Sequence, residues 1–334
     1  MAKNDSRFLI LSALGFFLLT QGGVGALATR GSEQTKHDQS NGLWRRSPSI
    51  TIPFTLIHNI PFIKLTVNGH KEELFQLDSG SQLTILNSDE ATRLNIQLSP
   101  QAVVNAKGLG DSAGQPMWLA KSIKLKFRRE TIIRGNMLAT SIFNNCGFTG
   151  VRIAGVLGYD VLRAHPTVID YQNSKFMIFE KDSFVPHANR QIQELSIDTA
   201  AVLPVITAVI GVDSKDYGDA RVVVDTGNDA GAMIYARFAA NHSLNGLMGW
   251  KDGKNCAIGG FGSFLHGLPG SAVIGEERVA LPDIEVMLNK DGIAQSELYD
   301  ALLGSPALAR WTIVFDVPNG KIYFLDHDEI SVQR

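Results

Sequence analysis

Two acidic tripeptides are the residues of this sequence whose types and spacing best suit chemistry: Asp78-Ser79-Gly80 and Asp225-Thr226-Gly227. Each one follows an apolar run, Phe75-Gln76-Leu77 in the first case and Val222-Val223-Val224 in the second. One such tripeptide predicts no more than a turn, because Asp and Gly favour turns. Two carboxyl groups brought close together can share a proton, since like charges at short range resist ionising together. Such a pair can take one proton and give another, which is what hydrolysis by water requires.

The surroundings of the two tripeptides repeat along the chain at a nearly constant offset. Asp78 and Asp225 lie 147 residues apart, and Gly158 and Gly304, each after two apolar residues, lie 146 apart. Asp170 and Asp316, each before a short turn and an apolar run, are also 146 apart; we interpret both as structural turn residues. A repeat of this length predicts two duplicated, strand-rich lobes rather than a solenoid.

A strand hairpin precedes each acidic turn in this interpretation. Pro61–Val67 is an apolar run, and Asn68-Gly69 after it is a strong two-residue hairpin signal, because both residues tolerate positive φ. For the second copy the sequence predicts a longer turn, which connects Leu203–Val212 to Arg221–Val224.

The chain resembles the aspartic peptidase family in its two-lobed form, which is built from two retropepsin-like units. The resemblance covers about residues 52 to 326. It implies a mostly β fold with an internal pseudo-twofold axis, an N-terminal lobe over 51–185 with Asp78, and a C-terminal lobe over 195–328 with Asp225. The motifs that carry it are Asp78-Ser79-Gly80, Asp225-Thr226-Gly227, Val156-Leu157-Gly158 and Leu302-Leu303-Gly304.

The resemblance also implies a role for each residue of the two turns. Asp78 and Asp225 would form the catalytic dyad, and water between them would attack the peptide carbonyl. The Ser79 and Thr226 hydroxyls would brace the opposite turn. Gly80 and Gly227 would let the turns approach where a Cβ would collide.

The position after each tripeptide differs between the two copies. Ser81 could hydrogen-bond the outer oxygen of Asp78, but its counterpart is Asn228, which departs from the family pattern, and Asp229 adds a charge beside it. These two residues motivate an alternative function, a catalytically inactive peptide-binding protein on the same fold.

Two glycine-rich stretches are candidates for the hairpin flaps that close over substrate in this family. One contains Gly108 and Gly110 and has no tyrosine; the other contains Gly259, Gly260 and Phe261. The alternative in both cases is an ordinary loop.

The N-terminal residues have the pattern of an export signal. Lys3 and Arg7 precede an apolar core, and Ala26-Leu27-Ala28 ends the segment, so residues 1–28 predict a signal peptide; an uncleaved anchor is the alternative. Residues 29–50 would be a linker or short pro-segment. We therefore expect an exported protein, periplasmic or secreted, with no stable membrane span after cleavage.

The net charge and the spacing of the histidines limit the kinds of partner and cofactor that we expect. The net charge of −2 without long charge runs argues against nucleic acid, and the eight histidines show no metal-ligand spacing. We expect a monomer that acts on a peptide or protein substrate and needs no metal or cofactor. Whether Cys146 and Cys256 form a bridge stays open, because sequence cannot establish the geometry.

Overall fold

The structure is a computed structural model, and it describes residues 47–106, 114–141, 151–181, 192–257, 260–281, 284–289 and 292–326. Strands account for most of these residues, and the α-helices among them are short. The expectation of a mostly β fold is therefore confirmed. Residues 1–28, most of 29–50 and Cys146 lie outside the described residues. The signal peptide and the linker therefore stay predictions, and the question of the bridge stays open.

The N-terminal lobe begins with a hairpin in which burial alternates along the first strand and apolar side chains fill the inner face. Asn68 and Gly69 have φ angles of 50° and 82°, so the predicted tight turn is confirmed. The strands of this lobe are β1 (Ile50–Ile57), β2 (Ile60–Val67), β3 (Glu72–Leu77), β4 (Ile85–Asn87), β5 (Val104–Ala106), β6 (Gln115–Phe127), β7 (Glu130–Thr140), β8 (Gly155–Leu157), β9 (Thr167–Asp170) and β10 (Lys175–Ile178); the helices are α1 (Ser88–Arg93) and α2 (Tyr159–Ala164).

The C-terminal lobe follows the same order of elements, with extra short strands in its middle part. Three 3₁₀ turns are also described, at Leu244–Gly246, Gly292–Gln295 and Val317–Asn319. Its strands are β11 (Ile192–Ser196), β12 (Val205–Val212), β13 (Lys215–Asp225), β14 (Ala232–Ile234), β15 (Lys251–Ala257), β16 (Gly260–His266), β17 (Gly270–Ile274), β18 (Glu277–Leu281), β19 (Ile284–Met287), β20 (Ala301–Gly304), β21 (Trp311–Asp316) and β22 (Lys321–Asp326); its helices are α3 (Ala236–Asn241) and α4 (Ser305–Leu308).

Strand pairing shows that the two lobes are copies of one arrangement. In the first, β2 and β3 form a hairpin and β3 runs parallel to β8; in the second, β12 and β13 form a hairpin and β13 runs parallel to β20. The longer turn expected in the second copy is wrong, because Val212 pairs with Lys215 and two residues connect the strands. Likewise, β4 lies between parallel β7 and antiparallel β8, as β14 lies between β19 and β20. The predicted duplication is thus present in the hydrogen-bond ladders as well as in the sequence.

The lobes are joined by one shared sheet with the strand order β11-β22-β21-β9-β10-β1. Antiparallel β9 and β21 meet at its centre, and Val168 pairs with Val314, its own counterpart 146 residues later. A strand that pairs with its own copy in this way places the pseudo-twofold axis between them. The axis fixes the relative placement of everything else in the two lobes.

The two central strands, β9 and β21, end at Asp170 and Asp316, and both aspartates have a structural role there. The carboxylate of Asp170 accepts hydrogen bonds from the Asn173 N–H at 2.9 Å and from its side-chain amide at 2.8 Å. The Asn319 amide donates to both oxygens of Asp316 at 3.0 Å. Both aspartates therefore hold turns, as the sequence predicts.

Buried apolar side chains of both lobes form one continuous core. Ile169 and Ile313 from the central strands are fully buried in it, together with Phe75 and Val224 from the strands that lead into the acidic turns. Each such side chain contributes about 1.5–3 kcal/mol on burial. In the part of the chain that is described, no helix is long and apolar enough to cross a membrane.

Candidate active site

The two acidic turns lie at the C-terminal ends of β3 and β13. At these ends the parallel pairing of β3 with β8, and of β13 with β20, stops. The Asp78 N–H still donates to the Leu157 carbonyl at 3.0 Å, and Asp225 is the last residue of β13, opposite Gly304. The parallel pairing therefore stops at the residue that carries each carboxyl group. Asp78 is half-buried and Asp225 is buried.

Ser79 and Thr226 bind the two turns to each other by four hydrogen bonds across the lobe boundary. The Ser79 N–H donates to the Thr226 hydroxyl at 3.0 Å, and the Thr226 N–H donates to the Ser79 hydroxyl at 3.0 Å. The Ser79 hydroxyl donates to the Val224 carbonyl at 2.6 Å, and the Thr226 hydroxyl donates to the Leu77 carbonyl at 2.9 Å. Both side chains are fully buried, so every one of these groups would be unsatisfied without its partner.

The two glycines bring each turn against the opposite carboxyl group. A Cβ on Gly80 would lie 2.3 Å from the Cγ of Asp225, and one on Gly227 would lie 2.2 Å from the Cγ of Asp78. Carbon atoms in ordinary contact are about 3.5–4.0 Å apart, so neither position has room for a side chain. The structure thus places Asp78, Asp225, Gly80 and Gly227 in one cluster around the pseudo-twofold axis.

The shared environment changes the acidity of both carboxyl groups. Burial raises the pKa of Asp78 to about 6, although hydrogen bonding with Asp225 opposes the rise. Burial, and next the charge of Asp78, hold the pKa of Asp225 well above its usual value, while the Gly227 N–H opposes the shift. A pair of this kind keeps one proton in mildly acidic solution, and the values belong to the pair rather than to either residue.

The residue after the first tripeptide, Ser81, does not make the hydrogen bond to Asp78 that the sequence suggested. The Ser81 hydroxyl donates to the Leu83 carbonyl at 2.9 Å instead of reaching the outer oxygen of Asp78. Its counterpart Asn228 is buried, and its amide oxygen accepts the Ala230 N–H at 2.9 Å. In each lobe this side chain therefore bonds the backbone two residues later and stiffens its own loop. Asp229 is exposed and does not figure among the causes of the Asp225 pKa shift.

The apolar-apolar-Gly strands pass directly behind these loops. The Tyr159 N–H donates to the Ser81 carbonyl at 2.8 Å, and the Ser305 N–H donates to the Asn228 carbonyl at 2.9 Å. A Cβ on Gly304 would lie 2.0 Å from the Ala230 carbonyl oxygen. The glycine that ends each repeat motif is therefore required by the close passage of the loop.

Several polar residues behind the turns were not singled out from the sequence. The Ser305 hydroxyl donates to the Thr226 carbonyl at 2.8 Å and is 3.0 Å from the Tyr171 hydroxyl. The Thr84 hydroxyl accepts the Gly158 N–H at 3.0 Å and donates to Asp160 at 2.7 Å. The positions equivalent to these residues in the other lobe hold different residue types. The repeat of 146 to 147 residues, which indicated Asp78 and Asp225, therefore does not predict them.

Gln76 is a further residue that the sequence presents only as part of an apolar strand. It lies two residues before Asp78 on β3, so the two side chains share one face of the sheet. Its amide donates to the Asp78 Oδ2 at 3.4 Å and to the Gly227 carbonyl at 3.0 Å. A buried glutamine thus connects the first carboxyl group with the opposite turn.

The candidate flaps fall partly outside the described residues. Strands β5 and β6 pair from Val104 with Met117 to Ala106 with Gln115, so the segment with Gly108 and Gly110 connects a hairpin, but both glycines are outside. In the second lobe β15 and β16 form the corresponding hairpin, with Gly260 and Phe261 at the start of β16 and Gly259 outside. A flap function for either hairpin stays a prediction.

Within the described ranges, no group of three or more His, Cys, Asp or Glu side chains is arranged to hold a metal ion. The site brings together two carboxyl groups, one half-buried and one buried, with backbone N–H groups and the Gln76 amide beside them.

Part of the chain matches a known protein family. Residues 63–161, which include the Asp78 turn and Val156-Leu157-Gly158, match the family described as aspartyl protease. No curated protein matches the chain in sequence. Among solved structures, the aspartic proteinase from Irpex lacteus is similar with a TM-score of 0.49 and 14% identity, over 85% of this chain and 99% of that chain. The chain is thus similar to the aspartyl protease family over residues 63–161, which contain the first acidic turn, and the second lobe repeats the strand pairing of that region.

Proposed function

We propose that this protein is an exported aspartic endopeptidase, which hydrolyses peptide bonds with water activated between Asp78 and Asp225. The observation that supports this most directly is the reciprocal clamp of the two acidic turns. Each glycine lies against the opposite carboxyl group, and the Ser79 and Thr226 bonds hold that contact in place. Geometry held so tightly favours a reaction that needs both carboxyl groups at once.

The proposed reaction uses the single proton that the pair retains. The ionised carboxylate takes a proton from water as the water oxygen bonds to the peptide carbonyl carbon. The protonated carboxyl group gives its proton to the carbonyl oxygen, so a neutral tetrahedral intermediate forms. When the carbon–nitrogen bond breaks, the leaving nitrogen receives a proton from the dyad and the intermediate returns one to it. The pair ends with one proton, as it began.

The proposed substrate is an extended peptide lying between the lobes. Its backbone would pair with exposed strand edges, as extended peptides commonly do. The β5–β6 and β15–β16 hairpins are the candidates to close over it and exclude water. Because both carboxyl groups come from one chain, a monomer would suffice, with no metal or cofactor.

The alternative, a peptide-binding protein without turnover, rests on Asn228 and Asp229. Asn228 accepts the Ala230 N–H, the same kind of local bond that Ser81 makes in the first lobe, and Asp229 is exposed. Neither side chain takes a hydrogen bond from the dyad in the contacts described, so we favour the peptidase.

The test is a pair of single substitutions, Asp78→Asn and Asp225→Asn, assayed on a mixed peptide library at several pH values. Each should abolish cleavage while the far- and near-UV circular dichroism stays unchanged, because Asn keeps the shape but cannot exchange the proton. Asp170→Asn and Asp316→Asn are matched controls from the other repeat positions and should retain turnover. Near-wild-type cleavage by a folded dyad variant would exclude the mechanism, and binding without cleavage by the wild type would favour the alternative.

Export is tested separately by the N-terminus of the protein recovered from its own host. Cleavage after Ala28 would leave Thr29 as the first residue of a protein found outside the cytoplasm. An intact Met1 on a cytoplasmic protein would contradict the export proposal and leave the peptidase proposal untouched.

A further inference from the structure

The two halves of the site differ in the residue two positions before each aspartate. Gln76 precedes Asp78, and Val223, its counterpart 147 residues later, precedes Asp225. Gln76 is 5% exposed and Val223 is fully buried among apolar side chains such as Met233 and Leu302. The pseudo-twofold arrangement is therefore broken at this position, where one lobe has an amide and the other has a hydrocarbon.

The orientation of the Gln76 amide follows from its second contact. The amide nitrogen lies 3.0 Å from the Gly227 carbonyl oxygen and 3.4 Å from the Asp78 Oδ2. If the amide were turned over, its oxygen would face another carbonyl oxygen at that distance, which is repulsive. The carbonyl of the opposite turn thus forces the two N–H groups to point toward Gly227 and Asp78.

A fixed N–H donor distinguishes the two forms of a carboxyl group. It stabilises the ionised form, which is an acceptor only, more than the protonated form. Val223 offers Asp225 no such donor from its side chain. In a pair that holds one proton, this difference favours the negative charge on Asp78 and the proton on Asp225.

We propose that Gln76 is a positioning residue that fixes the dyad proton on Asp225 and keeps Asp78 ionised, by donating to Asp78 and to the Gly227 carbonyl together. Its relevance to catalysis rests on the proposed peptidase function. Asp78 then acts as the base toward water, and Asp225 supplies the proton to the carbonyl oxygen.

The other titratable groups around the dyad do not compete for this proton. The Tyr171 and Tyr235 hydroxyls interact with the Asp225 charge, but burial raises the pKa of both, so they stay protonated in acidic and neutral solution. Asp229, beside the second turn, is exposed to solvent.

The direct experiment is carbon-13 NMR of the full chain with its aspartate carboxyl carbons labelled. Asp78→Asn and Asp225→Asn assign the two signals. In the wild type at pH about 5, between the ordinary carboxyl pKa and neutrality, the Asp78 carbon should show the ionised shift and the Asp225 carbon the protonated one. A proton on Asp78 in the wild type would overturn the proposal, and this measurement requires no variant of Gln76 and no turnover.

Gln76→Met then removes both N–H groups at similar volume. We expect the proton to become shared between the two carboxyl groups, and the acid limb of the pH profile of kcat/KM to move up by about one unit, as loss of a hydrogen bond to a charged form predicts. Leu125→Met, a fully buried residue of β6, is the control for loss of packing and should leave the profile in place. An unchanged profile and proton distribution in Gln76→Met would overturn the proposal. Absence of cleavage in the wild type would instead refute the peptidase function, while the NMR result still decides the role of Gln76.

Discussion

Gly227→Ala should disable the site while leaving the fold almost intact. The new Cβ would lie 2.2 Å from the Asp78 Cγ and 2.4 and 2.5 Å from its two oxygens. Carbon atoms in contact need about 3.5 Å, so the carboxyl group must move by about 1.3 Å. A misplacement of about 1 Å can lower the rate of a positioned reaction about 100-fold, so we expect kcat/KM to fall by at least that factor.

The effect on stability should be much smaller. The colliding atoms are the end of one side chain rather than backbone, so a small shift relieves the overlap, and the cost should not exceed about 1–3 kcal/mol. Gly80→Ala should behave alike, since its Cβ would meet Asp225 at 2.3 Å.

The matched control is Gly218→Ala in β13, the strand that leads to Asp225. Nothing lies within 4 Å of its Cβ position, so activity should be retained and stability unchanged or slightly improved. The measurements are kcat/KM on a library-derived peptide and urea unfolding of each variant. A folded Gly227→Ala protein with near-wild-type kcat/KM would refute the close approach of the two turns.

Two further outcomes are expected. Ser79→Ala should lower the free energy of unfolding by about 3 kcal/mol in urea titrations, because it leaves the Val224 carbonyl and the Thr226 N–H buried without their bonds; a loss below about 1 kcal/mol would show that the clamp adds little. Cleavage activity per chain should stay constant on dilution, because both carboxyl groups belong to one chain; a loss that follows dissociation of a dimer, seen by light scattering, would contradict a single-chain site.

Much of the fold and the two aspartates of the site could be predicted from the sequence, because the duplicated lobes need the same residue types at equivalent positions. Asp78 and Asp225 at one offset, with Gly158 and Gly304 at nearly the same one, predict that the same backbone geometry occurs twice. The hairpin at Asn68-Gly69 was predictable for a local reason, since those residue types suit positive φ.

The other features of the site depend on contacts that differ between the two lobes, so the sequence repeat does not predict them. The Ser81 hydroxyl bonds to Leu83 rather than Asp78, which is a choice between two nearby acceptors that only the loop conformation decides. Gln76 looks like a polar interruption of an apolar strand until the Gly227 carbonyl, 151 residues away, is placed beside it. Asymmetric features of the site, which include the proposed proton distribution, are those that comparison of the two halves cannot predict.

The raised pKa values also make a prediction about stability, and its sign can be worked out from Asp78. The folded-state pKa of about 6 exceeds the ordinary value of 3.8, so the folded state binds the proton more tightly than the unfolded chain. The stabilisation by this proton is fully present below pH 3.8 and is lost as the pH rises through about 6. The shift of roughly two units corresponds to about 3 kcal/mol.

The cleanest measurement compares Asp225→Asn with the double variant Asp78→Asn/Asp225→Asn, since neither should digest itself during unfolding. Burial, the largest cause of the Asp78 shift, remains in the first variant, whereas the second has no carboxyl group at either position. Asp160, whose pKa burial also raises, is present in both and cancels. The free energy of unfolding of Asp225→Asn should therefore fall relative to the double variant by about 2 kcal/mol between pH 4 and 7. A difference that stays constant over that range would mean that Asp78 ionises in the fold as easily as in water, and the site would then lack the buried, proton-holding pair on which the proposed reaction depends.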